Sequence, residues 1–517
     1  MTSSSTPPAG GDAPAEAKAK VFDRALISVS AVVVLGTFMS ILDTTIVNVA
    51  INTLSKDFDT DLATIQWVST GYMLALATVI PLTGWAADRF GTKRLYMISI
   101  GLFLIGSIAS GAAWSAGSLI AFRVLQGFGG GMIMPAGMTI LSQAAGPQRM
   151  GRVMGVVGVP MLMGPIVGPI LGGWLVDDVS WRWIFYVNIP VGAVALFAAA
   201  RLLPRDQPAA HQKLDTLGLA LLSPGLAAFV YGLAETSSSG GLGATKAWLP
   251  MVAGAILIGT FIYHAARHAW PLIDVKLFKN RTMTASSLTT GAFALAMFGA
   301  MFLVPLYYQV VREKSALDAG LLLAPQGVGA ALMMPIAGKL TDDIGPGKVV
   351  IGGLTFLLLG MLGFTQVGAD TSLAFLAGSQ FFMGLGMGAA MMPAMSAAYQ
   401  TLQRQQVARA TTALNIIQRV GGSIGTAFLS VVLTHQLSSR LPGAGEEGLG
   451  AAQSIPADAR DQVAPRIAEA FGHTFWFAAG VLVLAFIPAF FLPRRKPTPP
   501  TTPEEKAEAA EAVLVEV

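Results

Sequence analysis

The chain has 517 residues, 53% of them apolar and only 12% charged, about half the charged share of a soluble domain. That balance excludes a soluble globular enzyme and points to an all-α polytopic membrane protein. The absence of cysteine excludes disulfides, thiolate metal sites and cysteine nucleophiles. The net charge of +4 is scattered among short segments, so no nucleic-acid partner is expected.

Residues 1–24 are rich in Ser, Pro, Gly and Ala and predict a disordered tail. Lys18, Lys20 and Arg24 then precede an apolar run too long for a signal peptide. Fourteen runs have the length and polarity of a membrane span. They lie near 26–50, 65–86, 94–113, 117–142, 149–176, 184–203, 216–234, 247–266, 283–309, 317–340, 348–366, 371–395, 408–434 and 472–492. With the amino end inside, 23 of the 33 Lys and Arg fall on inner segments and 8 on outer ones, the asymmetry expected of that orientation. Both termini are then cytoplasmic. The long outer loop, 436–471, is hydrophilic and either folds over the outer mouth or stays mobile.

The first span contains one carboxylate, Asp43. A bare carboxylate is costly in hydrocarbon, so it must face protein or water. Rise per residue puts Asp43 about 12 Å from the outer end of its helix and Arg123 of the fourth span about 9 Å from that edge. The two are expected to pair, directly or through water. The pair is read either as a proton-titrating site or as a static tie between two helices. Asn48 is read as a packing group or a ligand contact.

The chain repeats itself. Gly84, Asp88 and Gly91 return as Gly338, Asp342 and Gly345, offset by 254. Gly127, Gly129 and Gly131 return as Gly384, Gly386 and Gly388, offset by 257, as do Gly164 and Gly168 in Gly421 and Gly425. The glycine run near 127 is read as helix packing, because it lies inside a span and is repeated. The predicted organisation is therefore a tail (1–24), a six-helix half (25–205), an inserted helix pair (206–282), a second six-helix half (283–493) and a tail (494–517). His264 and His268 share a helix face, but no third ligand is expected beside them, so no metal site is predicted.

Five stretches carry a resemblance: Leu42–Ala50, Gly84–Arg94, Arg123 with Gln126 and Gly127, Gly155–Gly173, and Trp181–Pro190. Together they resemble the major facilitator superfamily, and within it the fourteen-span drug:proton antiporters. The resemblance implies a proton-coupled exporter of lipophilic small molecules, such as drugs or antibiotics, working by alternating access. It would be driven by the proton gradient without a cofactor, as a monomer in a bacterial plasma membrane. Asp43 and Arg123 would couple the proton. Gly84, Asp88, Arg89, Gly91, Lys93 and Arg94 would form a gating latch, with Asp342 in a weaker second copy beside Lys348. Asp88 either caps a helix or pairs with a basic residue of a neighbour. Gly155, Gly164, Pro165, Gly168, Pro169, Gly172 and Gly173 would make a kinked pivot pressed against the other half.

Substrate contacts are expected among Tyr72, Gln126, Met161, Tyr307, Tyr308, Gln309, Gln326 and Met333, a flexible aromatic, amide and thioether surface. Arg419, a second buried cation, would neutralise a carboxylate, orient an anionic substrate group or bond helix carbonyls. Asp43 is the one convincing intramembrane acid, so neutral, zwitterionic or singly charged substrates are expected. Two other readings stay open: an exporter of one endogenous metabolite, lipid or siderophore, and a non-transporting receptor.

Overall fold

The structure, a computed structural model, describes residues 24–205, 213–238, 244–402, 406–440 and 457–494. The predicted tails therefore lie almost wholly outside the described residues. The helices are α1 (Arg24–Asp57), α2 (Leu62–Val79), α3 (Leu82–Phe90), α4 (Thr92–Gly111), α5 (Ala116–Asp178), α6 (Trp183–Tyr186), α7 (Asn188–Leu202), α8 (Thr216–Ser238), α9 (Thr245–Arg267), α10 (Arg281–Val310), α11 (Ala316–Leu322), α12 (Ala324–Ile344), α13 (Pro346–Phe364), α14 (Leu373–Tyr399), α15 (Val407–Arg440) and α16 (Ala457–Ala489), with a 3₁₀ turn at Val275–Lys279. No strand occurs among the described residues.

Twelve helical segments among the described residues are long and apolar enough to cross a membrane, and thirteen when the bent pair α2–α3 counts as one. The predicted second span is broken, with a 57° bend between α2 and α3. Pro81, the N-cap residue of α3, has no N–H with which to continue the ladder of α2. The predicted sixth span comprises α6 and α7, and Val187 between them keeps helical backbone angles (φ −59°, ψ −24°), so Trp183–Leu202 is one apolar segment. The predicted fourth and fifth spans form one assigned helix, α5, interrupted at Gly146 (φ 64°, ψ 172°). The segment 436–471, expected as a loop, is helical at both ends. α15 runs on to Arg440 and α16 starts at Ala457, and residues 441–456 lie outside the described residues.

The sequence repeat is a structural repeat. Gly91 turns α3 into α4 at φ 89°, ψ 152°, and Gly345 turns α12 into α13 at φ 90°, ψ 147°. The Ser115 side chain caps α5, and the Ser372 side chain caps α14, 257 residues on. The glycine runs repeat too. Gly127 and Gly131 press on the α2 backbone and Gly129 on α4, while Gly384 and Gly388 press on α12 and Gly386 on α13. Small residues at such crossings let helix backbones touch. α8 and α9 pack on each other, and α8 reaches both α2 and α15.

The positive φ at Gly91 and Gly345 gives a direct check. Gly91→Ala and Gly345→Ala should each cost about 1–2 kcal/mol, because a Cβ clashes in that backbone region. Apparent melting in detergent should fall for both by similar amounts. If only one fell, the two turns would not be equivalent.

Candidate functional site

Asp43 is fully buried on α1 and pairs directly with Arg123 of α5, Nη1 to Oδ2 at 2.6 Å. Gln126 lies three residues beyond Arg123 on the same helix face. Its Nε2 donates to Asp43 Oδ1 (2.8 Å), while its Oε1 accepts from Arg123 Nη1 (2.7 Å). Asn188, the first residue of α7, donates from Nδ2 to the same Asp43 oxygen (3.0 Å) and to Ser107 Oγ of α4 (3.0 Å). The Ser107 hydroxyl in turn donates to Phe185 O (2.8 Å). Arg123 Nε donates to Val68 O (3.4 Å), and the Tyr72 ring lies under the guanidinium at 4.0 Å. All these residues belong to α1–α7.

Every partner of the Asp43 carboxylate is a donor. A buried ion pair tolerates desolvation only when its remaining valences are satisfied, and Gln126 and Asn188 satisfy them here. Arg123 occupies one oxygen of the carboxylate, and Gln126 and Asn188 the other. Asn188 and Ser107 were missed as members of the site. The signal for Asn188 was its place in the Trp181–Pro190 stretch; Ser107 had none.

The loop between α2 and α4 reaches the other half. Asp88 Oδ2 lies 3.4 Å from Arg409 Nε of α15. A Cβ at Gly84 would stand 3.2 Å from Thr412 Oγ1. Asp88 thus pairs across the halves rather than capping α4, whose N-cap residue is Gly91. Lys93 does something else: its Nζ donates to Ala200 O and Leu203 O (both 2.8 Å), tying α4 to the end of α7. Arg89 is half-buried and Arg94 exposed at the same end. In the second copy, Asp342 Oδ1 accepts from Gly151 N of α5 (3.1 Å). The two loops therefore cross-dock reciprocally, α3 on α15 and α12 on α5.

The pivot glycines divide into two sets, which corrects the expectation that all press on the other half. Gly155 does so: a Cβ there would run into Met334 O of α12. Gly164, Gly168 and Gly172 instead face Ile41, Thr45 and Ile46 of α1, on either side of Asp43. Thr45 Oγ1 donates to Gly164 O (3.2 Å) across that contact. Gly173 faces open space. The side chains of Pro165, Pro169 and Met161 lie outside the described residues.

The expected substrate contacts are dispersed. Tyr72 and Gln126 belong to the Asp43 network. Tyr307 and Tyr308 are buried in the second half, where Tyr307 Oη donates to Gly368 O (2.7 Å) and Tyr308 Oη accepts from Gln380 Nε2 (2.6 Å). In this conformation neither presents an open wall. Gln309 is exposed, and Gln326, Met333 and Arg419 are half-buried. Asn48 Oδ1 accepts from Ser69 Oγ (3.2 Å), joining α1 to α2.

An acid does lie beside the histidines, against expectation. Asp215, just before α8, receives His264 Nε2 at 2.9 Å, and His264, His268 and Asp215 place their ligand atoms within 4.8 Å of one another. The carboxylate is already used by Gly218 N–H (2.8 Å) and Leu272 N–H (3.2 Å). Burial raises the Asp215 carboxyl, but those amides and His264 outweigh it and set it below the ordinary Asp value. A depressed folded value means that its stabilisation is present above about pH 4 and fades as pH falls through the folded value. Asp215→Asn should therefore lower apparent melting at neutral pH, and the gap should close in stronger acid. A gap that persists there would assign the loss to the amide contacts alone.

The family model described as Major Facilitator Superfamily matches residues 33–426. The chain is 44% identical over 493 residues to the Multidrug resistance protein B homolog of Mycobacterium tuberculosis, covering 92% of this chain and 91% of that one. It is 31% identical over 408 residues to the Multidrug export protein EmrB of Haemophilus influenzae, covering 78% and 80%. Among solved structures, the proton:xylose symporter XylE superposes with a TM-score of 0.59 over 94% of this chain and 99% of that one, at 14% identity, a likeness of fold alone.

Proposed function

The chain belongs to the Major Facilitator Superfamily, a family of membrane transporters rather than enzymes, and we propose from that premise that it is a proton-coupled exporter of lipophilic small molecules. The relatives' names as multidrug resistance and export proteins support the substrate class. The observation that carries the coupling is Asp43, a fully buried carboxylate whose partners are all donors. Protonation removes the charge that Arg123, Gln126 and Asn188 converge on, so loading a proton dismantles the contacts joining α1, α5 and α7.

The limb of α5 beyond Gly146 supplies a fourteenth span in this reading. The halves would rock about the space between them, with both termini cytoplasmic in a bacterial plasma membrane. The cross-docked loops at Asp88 and Asp342 would then lie at the cytoplasmic face, and this conformation is closed there. The transporter acts as a monomer, and the proton gradient supplies the driving force.

Purified protein in proteoliposomes should move a lipophilic dye only when a pH gradient is imposed, and a protonophore should stop it. Dye movement indifferent to the gradient would leave a facilitator and sink the antiport reading.

The latch gives a second test. Asp88→Arg should slow efflux several-fold by opposing Arg409, and Asp88→Arg with Arg409→Asp should recover much of it. No recovery would mean that the pair does not act as a unit.

A further inference from the structure

We infer that Arg419 is the anchor for an anionic group on the substrate, so that the substrate path between the halves is suited to lipophilic monoanions such as carboxylates. The inference rests on the exporter reading and narrows its substrate class.

Gly421 of α15 presses on Gly291 O, and Gly425 on Leu295 O, both of α10 in the same half. Those contacts define the inward-packing face of α15. At 100° per residue, Arg419 points about 160° away from Gly421. Thr412, seven residues before Arg419, shares its direction, and Thr412 is the residue that meets Gly84 of the other half. Asn415 lies on the same stripe. The face carrying Thr412, Asn415 and Arg419 therefore looks across at the first half. Thr412 sits at the closed end and Arg419 two turns further in, about 10 Å along the helix.

Across that space Arg419 comes within electrostatic reach of Tyr72, whose ring also backs Arg123. Here the two cations differ. Arg123 is neutralised by Asp43. Arg419 has no carboxylate and no hydrogen-bond acceptor among the described residues. Asp43 and Arg123 cancel, so Arg419 leaves this region one positive charge in excess. A half-buried guanidinium within a span and without a counter-charge is costly, and a bound monoanion removes that excess. The planar fork of donors suits a carboxylate held through two oxygens.

The test uses dansyl-glycine and its methyl ester, which differ by the one charge, with binding read by fluorescence on the full-length protein in chloride-free buffer. The carboxylate should bind about 10-fold tighter than the ester, the scale of one charge-assisted contact. Arg419→Gln should erase that preference and leave ester binding unchanged. Arg419→Lys should keep part of it, and serves as the folded control if the Gln variant binds neither probe. Equal binding of the two probes by the natural protein overturns the inference, as does an unaltered preference in Arg419→Gln. Loss of the preference once chloride is added marks an inorganic-anion site and also overturns it. Gradient-driven efflux of a neutral or cationic dye without any carboxylate preference would leave the exporter standing and remove this inference. A carboxylate preference without gradient-driven transport would do the reverse.

Discussion

Asp43→Asn should abolish gradient-driven transport, reducing it to the rate seen with no gradient. The amide cannot take up and release a proton near neutral pH. It also carries only one acceptor oxygen where the carboxylate serves Arg123 on one oxygen and Gln126 and Asn188 on the other. The variant would be less stable as well, because removing one partner of a buried ion pair leaves the other charge uncompensated, at about 3–5 kcal/mol. A loss of transport in this variant alone would therefore be ambiguous. Asp43→Asn combined with Arg123→Gln removes both charges, and replacing a whole buried pair is often close to neutral for stability. The double variant should recover the apparent melting temperature while remaining unable to pump. If it pumps a dye against its gradient as well as the natural protein, Asp43 is a structural tie and the proton enters elsewhere.

The Asp43–Arg123 pair was legible in the sequence because both residues are charges inside apolar runs, and rise per residue put them at one depth. The rest of the network was not. Asn188 and Ser107 are ordinary polar residues, and no charge of their own marks them as members of a carboxylate network. Arg409 was equally hidden: it sits at the start of a span, where a basic residue reads as a positive-inside anchor, and nothing local marks Asp88 as its partner. The pivot shows a different limit. The glycines announced close packing, but which helix each one meets depends on its angular position. Gly155 and Gly164 are nine residues apart, which is 900°, or half a turn beyond two full turns at 100° per residue. Opposite faces of one helix therefore serve two neighbours, α12 and α1. The repeat was the most reliable signal, since Gly91 and Gly345 adopt the same rare backbone conformation.

That division of the glycines leads to the second large effect. Gly155→Leu should prevent closure of the end where the two loops cross-dock. A Cβ at 155 meets the Met334 backbone, oxygen and carbonyl carbon both, and lies 3.3 Å from Gly338 Cα. Backbone atoms cannot rotate out of the way, so α5 and α12 must part. Overpacking of this kind costs about 1–3 kcal/mol. Conformations of a transporter differ by a few kcal/mol, so a penalty of about 2 kcal/mol shifts the balance about 30-fold against the closed end. The chain has no cysteine, so a single Thr412→Cys reports without background from a position that is fully buried in this conformation. Its labelling by a polar thiol reagent should rise more than about 10-fold in Gly155→Leu, and transport should fall with it. Gly164→Leu makes the contrasting case. It crowds Ile41 on α1 within the same half, so it should disturb the Asp43 network and lower stability without exposing Thr412→Cys. Equal exposure in both variants would mean that the α5 glycines act as one packing surface, and that the separation into a gate contact and a network contact is wrong.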